Sequence, residues 1–215
     1  MFIPRPLTVF SIFLGASLAI APCIAEPAAP PALQTVRQSP GYRNAVQTVV
    51  QQYEASLRTH CATAQLEWDK AQVHLYPPTN LDEKGQLVNA TWHETVPGSA
   101  CGHHRRYNTI TLIRDGKPSV LPLFPGESNA SPTLQQDSVT YVGSAIVARG
   151  VSSDCHVDIL ETQLPNGRPA NDQTPWNERW RVDACGKQFF VTLHYIPDAT
   201  GTTINVSPKE TVPAS

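Results

Sequence analysis

The hydrophobic positions of this chain change period several times, and each change marks a predicted element. Tyr42, Val46, Val49, Val50, Tyr53 and Leu57 fall at i, i+4, i+7, i+8, i+11 and i+15, one apolar stripe that predicts a helix. It begins behind Ser39-Pro40, where a hydroxyl can cap a free N–H and proline suits the first helical position. A second Ser-Pro, Ser131-Pro132, opens a broader stripe of Leu134, Tyr141, Val142, Ala145 and Ile146. That stripe predicts a second helix, although Val139, Thr140 and Gly143 are weak helix formers.

After each helix the period falls to two. Leu66 and Trp68 alternate with Gln65, Glu67 and Asp69, and Ala71, Val73 and Leu75 continue in the opposite parity, so a strand bends near Asp69-Lys70. Val157 and Ile159 play the same part in the second half. Turn-rich loops follow at 77–86 and 164–175. Val88, Ala90 and Trp92 then alternate in one half, and Trp176, Trp180, Val182 and Ala184 in the other. The neighbours of the second set, Asn177, Arg179, Arg181 and Asp183, are all polar, which predicts one packed and one wet face. Each half continues with a strand, 107–113 or 189–196, then a turn at Asp115-Gly116 or 198–201 and a shorter extended piece.

The two halves share more than periodicity. Both Trp92 and Trp176 open the pattern W-x-E-x5-A-C-G. Cys61 lies 40 residues before Cys101 and Cys155 lies 30 before Cys185, while the Ser-Pro pairs sit 22 and 24 residues before Cys61 and Cys155. Four landmarks in one order predict an internal duplication. The expected architecture is α+β: two tandem homologous repeats, residues 39–130 and 131–206, each a helix followed by a three- or four-stranded antiparallel sheet. In outline such a helix-then-meander unit resembles the cystatin-like and nuclear-transport-factor-like folds, a resemblance of shape that implies no function.

The ends alter this picture. Residues 1–25 carry one charge, Arg5, ahead of an apolar run and a cleavage-like Cys-Ile-Ala, the layout of a secretory signal peptide. Residues 26–38 form a Pro/Ala-rich lead and 207–215 a flexible tail. Removing the signal leaves 15 basic residues against 18 acidic ones, a formal charge of −3, and no concentrated basic patch of the kind nucleic acid requires. No second apolar run is long enough to span a bilayer. A periplasmic or secreted location follows, and it suits Cys61, Cys101, Cys155 and Cys185 as disulfides. Four cysteines allow three connectivities; the duplication selects Cys61–Cys101 and Cys155–Cys185, one per repeat.

Candidate chemistry is sparse. Glu94 and Glu178 share parity with apolar strand residues, so they point into the packed face and need partners there. Each is either a general acid or base beneath the sheet, or a structural carboxylate near the strand end held by an Arg or by helix N–H groups. Trp92 and Trp176 with these glutamates are candidate ligand contacts, and Trp176, following a polar loop, has the best claim to exposure. His93, His103 and His104 are the candidate metal ligands, although adjacent strand residues face opposite ways. No nucleophile motif, phosphate loop or redox cysteine pair occurs, and no cofactor is implied. The expectation is a non-catalytic binding or assembly protein of the cell envelope, its partner an envelope protein, a peptide or a small ligand held in a groove between the repeats. The alternatives are an envelope hydrolase using Glu94 or Glu178, and a metal binder using the histidines.

Overall fold

The structure is a computed structural model and describes residues 30–171 and 173–214. The signal-like segment lies outside the described residues, as does the start of the Pro/Ala-rich lead. In chain order the elements are α1 (Pro31–Gln38), α2 (Pro40–Ser56), β1 (Ala64–Leu66), β2 (Gln72–Leu81), β3 (Leu87–Ala100), β4 (His103–Arg114) and β5 (Lys117–Leu123). There follow α3 (Pro132–Ala148), β6 (Val157–Gln163), β7 (Trp176–Ala184), β8 (Lys187–Asp198), β9 (Gly201–Val206) and β10 (Val212–Pro213). Among the described residues the strands make two five-stranded antiparallel sheets, and no helix is long and apolar enough to cross a membrane.

Both sheets are built on a four-strand meander, β2-β3-β4-β5 in one and β6-β7-β8-β9 in the other. A short fifth strand extends each: β1 pairs with the end of β3, and β10 with the start of β8. The predicted bend at Asp69-Lys70 is a 3-10 turn, Trp68–Lys70, which separates β1 from β2. Both long helices start as the Ser-Pro pairs predict, with Ser39 Oγ accepting from Tyr42 N and Ser131 Oγ from Leu134 N. Alternation then sorts the strand residues. Ala90, Trp92 and Ala100 of β3 are buried with Val46 and Val50 of α2 in one core, and Trp180, Val182 and Ala184 of β7 with Val142 and Ile146 of α3 in the other.

The A-C-G element is a hairpin turn. Ala100 pairs with His103 and Ala184 with Lys187, leaving Cys-Gly as the two-residue loop each time. Cys101 and Gly102 have φ of 47° and 79°, Cys185 and Gly186 of 51° and 81°. Positive φ at both central positions is what a tight hairpin with right-handed strand twist demands, and glycine supplies the second without steric cost. Each turn cysteine reaches back to the loop after the half's long helix, forming the Cys61–Cys101 and Cys155–Cys185 disulfides. Each half therefore has one bridge from helix exit to hairpin tip.

The ends differ from the sequence expectation. Pro31–Gln38 of the Pro/Ala-rich lead is helical: proline is tolerated in a first helical turn, and Leu33 anchors the segment at 0% exposure. The 207–215 tail is only partly loose, because a 3-10 turn at Pro208–Glu210 leads into β10 and buries Thr211 completely. The 77–86 loop is shorter than expected, since β2 continues irregularly to Leu81.

The halves meet along the free edge of β6. Tyr53 of α2 donates to the carbonyl of Ile159, and Arg105 of β4 donates to that of Leu160 at 2.7 Å. Arg105 is itself held 2.8 Å from the fully buried Glu54, which also accepts from Tyr107 at 2.8 Å. Residues 125–127 close the remainder of the edge through a parallel bridge between Gly126 and Thr162. Gly126 is required there: its φ is 105°, and any Cβ would collide with the Thr162 backbone. An edge strand that would otherwise recruit foreign strands is thus covered from within.

Removing either bridge by paired Cys→Ser substitution should cost about 3.5–4 kcal/mol on loop-closure grounds, with the 40- and 30-residue loops nearly equivalent. Denaturant unfolding of the two double variants measures this. A loss below about 1 kcal/mol in either would show that the bridge does not constrain the unfolded chain as described.

Candidate functional site

The two glutamates are buried at 0% exposure, as strand parity requires; Glu178 lies near the start of β7, whereas Glu94 sits in the middle of β3. In the first half Glu94 Oε1 accepts from Arg37 Nε at 2.9 Å and Nη2 at 2.6 Å. Its Oε2 accepts from the Tyr42 hydroxyl, which in turn accepts from the Trp92 indole at 3.1 Å and lies 3.2 Å from Thr111 Oγ1. Burial first, then the neighbouring Glu94 charge, pushes the Tyr42 phenol up, so it remains a donor. This carboxylate fastens α1 and the first turn of α2 to the middle of β3.

Glu178 reaches the same result with different donors. Its Oε1 accepts from Ser128 Oγ at 2.9 Å, Asn129 N at 2.8 Å, Ala130 N at 3.2 Å and the Trp176 indole at 3.0 Å. Oε2 accepts from the Trp180 indole at 2.8 Å. The backbone donors come from the segment entering α3, not from the helix itself. Trp176 is therefore not exposed. It shares parity with Glu178 and Trp180, and its ring stacks on Tyr195 with centroids 4.7 Å apart. Alternation within β7 outweighs the polar loop before it. Trp92 is likewise at 0% exposure.

The histidine candidates do not converge. His93 lies opposite Ile110, whereas His103 pairs with Ala100 at the hairpin end, about 20 Å further along the strand. His103 and His104 are exposed. Among the described residues no three His, Cys, Asp or Glu side chains gather to hold a metal ion.

What the fold does create is a cavity of about 1040 Å³ on the face of the first sheet opposite its own helices. Its floor is the wet face of three adjacent strands: Gln72, His74 and Tyr76 of β2, Thr91, His93 and Thr95 of β3, and Asn108 and Ile110 of β4. The segment that leads into α3, residues 128–132, and Gln135 of α3 itself supply a wall, and the loop after β6 adds Arg168. Several floor groups are fixed. Asn108 Nδ2 donates to the carbonyls of Phe124 and Gly126 at 2.9 and 3.0 Å, so its Oδ1 is the atom that meets Thr95 Oγ1 at 2.7 Å and His93 Nε2 at 3.2 Å. Since that oxygen can only accept, His93 carries its proton on Nε2. Burial, with further repulsion from Arg168 and His74 outweighed only in part by Asn108 and Glu94, lowers the His93 pKa from its ordinary value, leaving it neutral at pH 7. His74 faces His93 across the β2–β3 pair and packs edge-on against Tyr76, with ring centroids 4.7 Å apart. Tyr76 is 39% exposed.

Apart from His93, singled out as a metal ligand and not as part of a groove, these residues carry no individual signal, because a wet strand face is the ordinary solvent side of a sheet. One signal was present: at 72–76, 91–95 and 108 that face carries His, Thr, Gln and Asn instead of the Lys and Glu usual in solvent. No protein-family model, curated protein or solved structure matches the chain.

The glutamate geometries predict unequal losses. Glu178 meets donors at every contact, so Glu178→Gln sets an amide N–H₂ against them and should cost about 3 kcal/mol. Glu94→Gln should cost less, about 1–2 kcal/mol, because the Tyr42 hydroxyl can turn to donate to Thr111 and accept from the new amide. Denaturant titration of both variants gives the comparison; two unperturbed proteins would return the glutamates to the list of catalytic candidates.

Proposed function

We propose that this chain is a non-catalytic binding protein, exported to an oxidising compartment of the cell envelope, that holds its ligand in the groove between its halves. The groove carries the proposal: it is open, spans three strands and the neighbouring half, and presents side chains already oriented by a hydrogen-bonded lattice around Asn108. A concave site of about this size is where a fold most often takes a small ligand, and preoriented polar groups are what fix a ligand's orientation there. The disulfides support the compartment, since such bonds persist where thiols are not kept reduced. The enclosure of Glu94 and Glu178 by the protein's own donors supports a structural role for both.

The scaffold is a duplication, and several correspondences support it. Each half has a 17-residue helix with a Ser N-cap and Pro behind it, a four-strand meander, a Trp-x-Glu in its second meander strand, and a Cys-Gly hairpin tip tied to the helix exit. Divergence then left one meander face free to form the groove.

Amide chemical-shift mapping against a library of small polar compounds tests the site. Hits should cluster on residues 72–76, 91–95, 108 and 168, and Thr91→Trp, which fills the floor, should abolish them while the remaining spectrum keeps its dispersion. Hits confined to other surfaces would contradict the assignment.

A further inference from the structure

The groove's own chemistry narrows what it can hold, and the inference rests on the groove being the binding site. Arg168 stands at its rim as a full positive charge, and a guanidinium grips a planar carboxylate through two parallel hydrogen bonds. His93 is neutral at pH 7, so it adds a hydrogen-bonding edge rather than a second charge. A single cation suits one singly charged carboxylate group better than a doubly charged phosphate group.

The rest of the lining matches hydroxyl groups. Thr91 and Gln72 offer a hydroxyl and an amide that both donate and accept, the pairing that a polyol needs, and Thr95 Oγ1, which donates to Asn108, can still accept. Gln135 is committed to the Ala130 carbonyl and the Phe124 N–H and only shapes the wall. Tyr76 adds an exposed ring braced edge-on by His74, a platform for the apolar face of a pyranose. A peptide fits less well. The floor is the face of a sheet, where side chains and not backbone N–H and C=O groups are presented, whereas an extended peptide gains its affinity by pairing with a sheet edge.

We propose that the groove binds an acidic sugar of the uronic-acid type, with Arg168 holding the carboxylate, Gln72, Thr91 and Thr95 the ring hydroxyls, and Tyr76 the ring face. Isothermal titration of the full chain with α-1,4-linked trigalacturonic acid, the neutral trisaccharide maltotriose and a tri-glutamate peptide tests this. Trigalacturonate should bind at least tenfold more tightly than either of the others, and Arg168→Gln should remove that advantage, a loss on the order of 10–100-fold. Arg168 is exposed in a turn-rich loop, so its substitution leaves the cores untouched; Arg149→Gln, exposed at the end of α3, is the control and should bind like wild type.

Equal binding of maltotriose would overturn the carboxylate requirement, and equal, Arg168-dependent binding of the peptide would overturn the sugar requirement. Both would leave the groove as the site. Failure of trigalacturonate to bind, or binding unchanged by Arg168→Gln, would overturn the inference outright. Shift mapping with the polar library then decides separately whether the groove binds anything.

Discussion

A carboxylate placed on the packed face of a sheet must be surrounded by donors, and the source of those donors dictates how the helices join the sheet. Glu94 and Glu178 set this condition in the two halves. Glu94 draws in Arg37 and Tyr42, and so fixes α1 and the start of α2 over β3. Glu178 draws in the backbone of residues 129–130, and so fixes the approach to α3 over β7. The neighbouring tryptophans belong to the same arrangement, because an indole N–H taken out of water needs an acceptor and finds it on the carboxylate or on Tyr42. A Trp-x-Glu pair at strand spacing thus supplies both a large apolar surface and the polar anchor that orients the helix above it.

With one face of the first sheet committed to α1 and α2, the opposite face remains available. The second half covers only part of it. Its β6 edge is closed by Tyr53, Arg105 and residues 125–127, and these contacts bring the entry to α3 alongside the floor formed by β2, β3 and β4. The groove is therefore a consequence of how the halves dock. Asn108 links the two features directly: its amide nitrogen holds the carbonyls of Phe124 and Gly126 in the connecting segment, and its oxygen orients Thr95 and His93 in the floor.

Much of this was legible in the sequence, wherever a residue's place follows from local periodicity. Parity alone placed Glu94 and Glu178 inside, the repeated spacing paired the cysteines, and Asp115-Gly116 marked its hairpin. Other features depend on partners far away in the chain. Leu33 and Arg37 lie in a stretch whose composition suggests a linker, and its helix is held by distant partners, the first core around Leu33 and Glu94 beside Arg37. Val212 and Pro213 pair with β8 because a neighbouring edge is free, which no local pattern announces. The polar loop before Trp176 suggests exposure, but the strand parity after it is the stronger guide, and the ring is buried. The groove was least legible, since its floor looks like any solvent face until the second half stands beside it.

Hydrogen exchange at two amides tests the central role of the buried carboxylates most directly. Asn129 and Ala130 lie outside regular secondary structure, yet both donate to Glu178. If that carboxylate fixes the approach to α3, their amides exchange as slowly as those in the centre of β7, through global unfolding alone. Exchange at the rate of exposed turn amides such as Glu83 would show that the segment opens independently of the core, and that the carboxylate does not hold helix and sheet together.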